Sequence, residues 1–222
     1  MADGRPTLPN ETEAYRSARD ELLDAEVELR AKVEAVAALR RRLPLGGEPK
    51  QDYVFESDAG PVALSALFAD GHESLFVYSY MFSSEMEKPC PLCTSFLDAL
   101  DGQAPHVEQR ISLAVTAKSP LDRIRAVADA RGWRNLRLLS DAATSYHRDY
   151  LGEAPDGSQL PMANVFVKRD GRVHHFWASE MLFVPMEGGD RRHIDTMWPL
   201  WNVFDTTPVG RGDWYPSLEY PR

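Results

Sequence analysis

The chain holds two cysteines, Cys90 and Cys93, within the stretch EKPCPLCTSF. Two cysteines scattered at random over this length would fall three apart about once in a hundred times, so the spacing carries information. It permits three kinds of chemistry: dithiol redox exchange, half of a zinc site, or two inert buried thiols. Pro91 sharpens the choice. Proline is favoured at the first helical position, where its missing N–H would lack a partner anyway. That makes Cys90 the N-cap and sets Cys93 one turn inside the helix. The free N–H groups of the first turn and the helix dipole then favour thiolate at Cys90 and lower its pKa. Cys93, on the same side, can attack a mixed disulfide formed at Cys90 and release the reduced partner. Lys88 adds positive charge nearby, Glu85 and Glu87 oppose it, and Leu92 adds none.

Other residues offer weaker chemistry. His174 and His175 are adjacent in a strand pattern and face opposite sides, so they cannot share a metal without distortion. His193 precedes Asp195 in an expected helix, and His106 and His147 read as surface residues. A Cys-x-x-Cys without a second local ligand pair is half a zinc signal, so neither a metal nor a cofactor is expected. Ser83 and Ser84 precede Cys90 at a spacing that does not suit a peroxidatic cysteine. Arg211-Gly212-Asp213 is read as a chance adhesion tripeptide. Trp214, Tyr215 and Tyr220 are expected to anchor the tail on the core. For Trp198 and Trp201, anchoring and pocket lining both stay open.

The elements that must position the pair follow from periodicity. Residues 10–43 read as one helix, with Thr7, Asn10 and Thr12 as candidate caps and Arg40–Arg42 at the negative end. Tyr15, Leu22, Leu29, Val36 and Leu43 recur every seven residues, with Ala18, Ala25 and Leu39 between them, although Lys32 interrupts the second row. This narrow stripe fits packing either on its own domain or on a second copy, as a homodimer. Pro44, Gly46, Gly47 and Pro49 then break the chain.

Beyond the break, strands are expected at 53–56, 75–82, 111–117, 136–140, 164–168 and 173–177. Helices are expected at 91–100, from Ser119 or Asp122 to Ala130, at 143–150 and at 191–201. Gly60–Phe68 reads as a turn with a short helical piece. Asp170-Gly171 marks a β-hairpin. Strands alternating with helices give an α/β fold, a mixed sheet flanked by helices. The expected organisation is an N-terminal helix and linker (1–49), a domain (50–180) and an aromatic C-terminal extension (181–222).

Composition removes several function classes. The net charge of −9 and pI near 5.2 disfavour nucleic acid and anionic membranes, which need a basic face. No apolar run approaches the roughly 18 residues of a membrane helix, and the N-terminus has no apolar signal core. Sparse cysteines fit a reducing cytosol, so a cytoplasmic location is expected.

Strand, Cys-Pro-Leu-Cys, helix resembles the active site of the thioredoxin superfamily, and the Asp170-Gly171 hairpin resembles its closing hairpin. Over nearly its whole length the chain resembles the bacterial domain-of-unknown-function family 899, predicted thioredoxin-like dithiol oxidoreductases. The charged N-terminal helix, KPCPLCTSFLDALDG, ISLAVTAKSPLDRIRAVADARGW and the tail WNVFDTTPVGRGDWYPSLEY carry that likeness. The resemblance implies a thioredoxin-like fold, with Cys90 as nucleophile and Cys93 as resolving thiol. It implies thiol–disulfide exchange with a protein or small-molecule partner. The competing reading is a binding or assembly module whose cysteine pair is structural or metal-loaded. Thioredoxins also place a cis-proline opposite the pair and a buried acid near the second cysteine. Pro161 is the nearest candidate for the first, as a cis-proline or an ordinary loop proline, and residues 75–82 supply no acid for the second.

Overall fold

In the computed structural model, which describes residues 7–184, 193–210 and 212–220, the two longest apolar runs become neighbouring parallel strands. These are β3 (Ser74–Ser79) and β4 (Ser112–Ala117), in register from Leu75 opposite Ser112 to Ser79 opposite Thr116. All six residues of β4 are buried, as expected for a strand covered on both faces. Helix α2 (Pro91–Val107) links β3 to β4, and α3 (Leu121–Arg131) links β4 to the parallel strand β5 (Leu138–Ser140). The hairpin of β6 (Met162–Arg169) and β7 (Arg172–Ala178) pairs antiparallel with β3. Asp170 and Gly171 turn it with φ of 51° and 77°, the positive values a tight hairpin requires.

A second hairpin, β1 (Val54–Ser57) and β2 (Gly60–Ala63), adds to β5. The sheet order is β2-β1-β5-β4-β3-β6-β7. Mixed pairing, crossover helices and a closing hairpin define a thioredoxin-like α/β fold.

The period-2 alternation of the strands divides the core. Tyr78, Leu113, Val115 and Leu138 face α2 and α3, where Phe96, Leu97, Ile124 and Trp133 meet them. Leu75, Val77, Ala114, Leu139 and Phe166 face the other way, with Tyr53, Phe55 and Tyr146. Each fully buried aliphatic or aromatic side chain contributes about 1.5–3 kcal/mol to this packing.

Several elements depart from the sequence reading for local reasons. Strand β3 stops at Ser79 because the Phe82 N–H turns back to the Tyr80 carbonyl at 2.8 Å. The segment read as a turn contains β2, whose Pro61 is tolerated because the strand lies at the sheet edge. Helix α2 continues past Leu100 and through Pro105. The Asp101 carbonyl, which a residue-105 N–H would have bonded, instead accepts the Asn135 side-chain amide at 3.0 Å. Neither Ser119 nor Asp122 caps α3; Pro120 takes that position, and Gly132, with φ of 77°, ends the helix as expected.

Of the helix expected at 191–201, residues 191 and 192 lie outside the described residues, as does Arg211. A 3₁₀ turn at Asp195–Met197 precedes α5 (Pro199–Phe204), which starts where proline suits the first position. Trp198 is buried and edge-on to Phe96, so it anchors the extension on α2. Trp214 packs edge-on to Phe204 at 5.1 Å and stacks with Tyr220.

His147 corrects a sequence expectation. It lies on α4 (Tyr146–Asp149) and is fully buried, its Nδ1 hydrogen-bonded to the Asp141 carboxylate just beyond β5. The short loop from β5 to α4 carries the histidine back over its partner, so neither group faces water. His106 is exposed. His174 and His175 find separate partners, the Gly46 carbonyl at 3.3 Å and Asn164 at 3.0 Å.

Residues Met1–Pro44 and Leu45–Arg222 form two compact units. The first is built on α1 (Glu13–Arg41), whose Thr12 hydroxyl accepts the Tyr15 N–H at 3.2 Å. No residue of α1 is buried.

Replacing Asp141 by Ala leaves the buried His147 Nδ1 without its partner, and the expected loss is about 1–3 kcal/mol in urea unfolding. A loss below about 1 kcal/mol would give the pair no more weight than a surface bridge.

Candidate active site

The site is built where β3 runs out. The chain passes through a loop to Pro91, the first residue of α2, and Cys90 sits at the N-cap with extended backbone angles (φ −62°, ψ 122°). The Cys90 N–H donates to the Met81 carbonyl at 3.1 Å, fixing the cap against the end of the preceding strand segment. The Cys90 carbonyl accepts two bonds from Thr94, from its N–H at 3.0 Å and its hydroxyl at 2.9 Å. The Tyr80 hydroxyl lies 2.7 Å from that of Thr94. Since Thr94 has one hydroxyl hydrogen and donates it to Cys90, Tyr80 is the donor in this contact. A buried relay therefore runs from Tyr80 through Thr94 to the backbone of the nucleophile candidate.

Farther along α2, Asp101 accepts the N–H groups of Arg134, Asn135 and Leu136 at 2.9, 2.8 and 3.2 Å. Asp98 takes the Trp133 indole N–H at 2.8 Å and pairs with Arg131. These bonds hold the helix to the segment that enters β5, and so hold the position of its N-terminus.

Both thiols are free, and their environments differ. Cys90 is part-exposed, and its pKa is lowered to about 6. The largest cause is a hydrogen bond from the Cys93 thiol; the N–H groups of Cys93 and Leu92 add to it, and partial burial opposes it. The sulfur does not complete a full N-cap hydrogen bond, so these amides act as oriented dipoles close to it. Cys93 is buried, at 2% exposure. Burial pushes its thiol well up, and the bond it gives to Cys90 and the charge there push it further. Against this, the Tyr78 hydroxyl hydrogen-bonds Cys93, and the Met81 amide adds a second bond. Burial also pushes the Tyr78 phenol well above its ordinary range, so it stays a donor.

The structure places the other expected site residues unequally. Pro91 opens α2 as the spacing requires. Lys88 is exposed and is not among the groups that lower the Cys90 pKa. Pro161 immediately precedes β6, whose Met162 lies opposite Ser79, so it flanks the strand end that leads to the cysteines. Its peptide bond is trans, as no cis bond occurs among the described residues. Tyr78, Tyr80 and Thr94 escaped the sequence reading. The available signal was alternation: Tyr78 and Tyr80 lie two apart, on the face that α2 must cover.

The C-terminal extension closes around the same helix. Met197, Leu200 and Trp201 pack against the cluster that contains Cys93, together with Leu92 and the part-buried Cys90. Trp198, Phe204, Trp214 and Tyr220 line a groove of about 560 Å³ along α2, beside Ser95 and Ala99. Among the described residues no three metal-ligating side chains converge.

Fold and site together define a thioredoxin-like protein with a paired thiol at a helix N-terminus. The chain belongs to the family described as bacterial protein of unknown function DUF899, whose model matches residues 6–221. A search of curated proteins found no match. Among solved structures it is similar to peroxiredoxin Q of Xanthomonas campestris, at 15% identity and a TM-score of 0.46, over 60% of this chain and 84% of that one. It is also similar to a peroxiredoxin-like protein of Aquifex aeolicus, at 12% identity and a TM-score of 0.43, over 61% of this chain and 75% of that one. A third is the exposed lipoprotein thioredoxin of Streptococcus pneumoniae, at 13% identity and a TM-score of 0.43, over 66% of this chain and 98% of that one.

The thiol asymmetry predicts a pH profile. Alkylation of the reduced protein by iodoacetamide, read as one fast-reacting cysteine, should rise through a midpoint near 6 and level off above it. Cys93→Ala should move the midpoint upward by removing the leading hydrogen bond. Cys93→Ser, whose hydroxyl can still donate, should move it less. A wild-type midpoint near the ordinary thiol value of about 8.5 would contradict the assigned environment.

Proposed function

We propose that this protein is a dithiol–disulfide oxidoreductase in which Cys90 is the nucleophile and Cys93 the resolving thiol. The observation that carries the reading is the opposite shift of two adjacent thiols, one lowered and part-exposed, the other raised and buried. An inert structural pair needs no such division.

The exchange balances as follows. The Cys90 thiolate attacks one sulfur of a substrate disulfide, forming a mixed disulfide and releasing the other sulfur as a thiolate, which takes a proton. Cys93 then loses its proton and attacks the Cys90 sulfur. The mixed disulfide breaks, the second substrate thiol leaves, and a Cys90–Cys93 disulfide remains. The protein gives up two electrons and the substrate disulfide gains them; the reverse sequence oxidises a substrate dithiol. Tyr78 stabilises the thiolate developing at Cys93 by donating a hydrogen bond. Its raised phenol keeps it from acting as the base. Pro91 supports the site by starting α2 at the required residue. Pro161 supports it as a wall beside the strand end, and Lys88 as a surface charge on the approach. The substrate is a protein or small-molecule thiol or disulfide, met in the cytoplasm, and no cofactor is required.

We infer in addition that α1 pairs with α1 of a second copy. Tyr15, Leu22 and Leu29 on α1 are each at least 46% exposed and recur at heptad spacing. A 29-residue helix with no buried residue gains most of its stability from a partner face.

Two experiments test these readings. The reduced protein should reduce a disulfide reporter such as glutathionylated peptide. Cys90→Ser should abolish turnover, and Cys93→Ser should trap a one-to-one mixed disulfide visible by mass spectrometry. If Cys90→Ser retains wild-type turnover, or the purified chain carries stoichiometric metal on its thiols, the binding-module reading takes over. Light scattering should give twice the chain mass, and Leu22→Glu with Leu29→Glu should halve it; a monomer at high concentration rules out the pairing.

A further inference from the structure

The loop between β3 and Cys90 has few means of holding its own shape. Its N-terminal part turns at Phe82, and a short turn follows, with the Met86 N–H on the Ser83 carbonyl at 3.2 Å and the Ser83 N–H on the Met86 sulfur at 3.4 Å. Glu85, Glu87 and Lys88 are exposed. Yet the Cys90 sulfur must be held to within a fraction of an ångström for the first-turn amides to face it.

The Ser84 N–H donates to the Lys118 carbonyl at 2.9 Å, and one side chain from another element makes the loop's remaining outside bonds. The Arg123 guanidinium, from the first turn of α3, donates to three carbonyls of this loop: Ser83 at 3.3 Å, Ser84 at 2.9 Å and Met86 at 2.7 Å. It also donates to the Ser119 hydroxyl at 3.3 Å and lies 4.7 Å from the centre of the Phe82 ring. Among the described residues it makes no ion pair with a carboxylate, so its fork is committed to backbone. A cation in the first turn of a helix meets the positive end of the dipole, a placement that local helix energetics disfavours. Its cause therefore lies in what the guanidinium reaches.

We propose that Arg123 is a positioning residue for the candidate nucleophile: by clamping the carbonyls of Ser83, Ser84 and Met86, it fixes the loop that delivers Cys90 to the N-terminus of α2. This rests on the reading of Cys90 as nucleophile. The effect is geometric and needs the planar fork: one terminal nitrogen meets the Ser83 and Ser84 carbonyls while the other meets Met86, a fixed spread that the compact ammonium of lysine does not reproduce. Titratable groups around Cys90 are Cys93 on α2 and the phenols of Tyr78 on β3 and Tyr80 just beyond it, with Glu85, Glu87 and Lys88 on its own loop. Arg123 acts on none of these directly; it acts through the backbone, whose last link is the Cys90 N–H on the Met81 carbonyl.

The test compares wild type with Arg123→Gln, Arg123→Lys, Ser119→Ala and, as control on the same helix, Arg125→Gln, whose side chain pairs with Asp58. Iodoacetamide alkylation against pH reads Cys90 acidity, and amide hydrogen exchange reads the loop. Both Arg123 variants should raise the alkylation midpoint by about one unit and speed exchange at the Ser84 and Cys90 amides about tenfold. Ser119→Ala should shift both in the same direction by less, and Arg125→Gln should shift neither. If Arg123→Gln fails to fold, Arg123→Lys and Ser119→Ala carry the comparison. A folded Arg123→Gln with the wild-type midpoint overturns the proposal, even if its melting temperature falls, because that is the result of a merely structural role. A wild-type profile in Arg123→Lys overturns the geometric mechanism in favour of charge. A wild-type midpoint near 8.5 would remove the nucleophile reading itself, and the positioning role with it.

Discussion

The first turn of α2 carries amide hydrogens that no carbonyl inside the helix can accept, and the Cys90 sulfur stands at the cap toward which they point. The arrangement depends on where the helix begins. Were α2 to start one residue earlier, the thiol would leave the cap and lose the amides. Pro91 sets the start by lacking an N–H and by fixing its own φ. The rest of the domain then holds that start in place. The Met81 carbonyl takes the Cys90 N–H, Thr94 and Tyr80 brace the Cys90 carbonyl, and Asp98 and Asp101 bind the far turns of the helix to the approach of β5.

The same constraint separates the two thiols. A small, partly dry site cannot hold two thiolates side by side, so whichever cysteine ionises first suppresses the other. Position decides the order. Cys90 is part-exposed and faces amides, whereas Cys93 lies inside the helix turn against Tyr78, Phe96 and the strand. Where thioredoxins keep a buried acid, this site has a phenol. A carboxylate can accept the proton that Cys93 must lose. A phenol with a raised pKa cannot, but it can donate a hydrogen bond to the sulfur once the proton has gone. In the proposed exchange, the proton's route then runs toward the departing substrate sulfur or solvent.

What the sequence made legible was set by residues close together in the chain. The cysteine spacing, the helix start at Pro91, the buried runs that became β3 and β4, Gly132 and the Asp170-Gly171 turn all rest on local rules of backbone geometry and periodicity. What stayed hidden depends on partners far along the chain. Pro105 looks like a helix breaker until Asn135 takes the carbonyl it strands. His147 looks solvated until α4 folds it onto Asp141. Tyr78 looks like one more apolar strand residue until α2 lays Cys93 over it. A short edge strand such as β2, carrying Gly and Pro, gives almost no periodic signal in four residues. The N-terminal helix was legible for the opposite reason: its stripe repeats over many turns.

Cys90 acidity is thus a property of the folded state, since every group that lowers it reaches the sulfur through α2 or its supports. In the unfolded chain the thiol is ordinary, near 8.5. Folding lowers it to about 6, so the reduced protein is stabilised by its thiolate at pH values above the unfolded pKa. That contribution fades as pH falls through the interval between the two values and is gone below the folded one. Oxidation to a disulfide removes the thiolate and with it the contribution. The folding contribution of that charge is therefore full at alkaline pH, and its size is tied to how firmly the N-terminus of α2 is held.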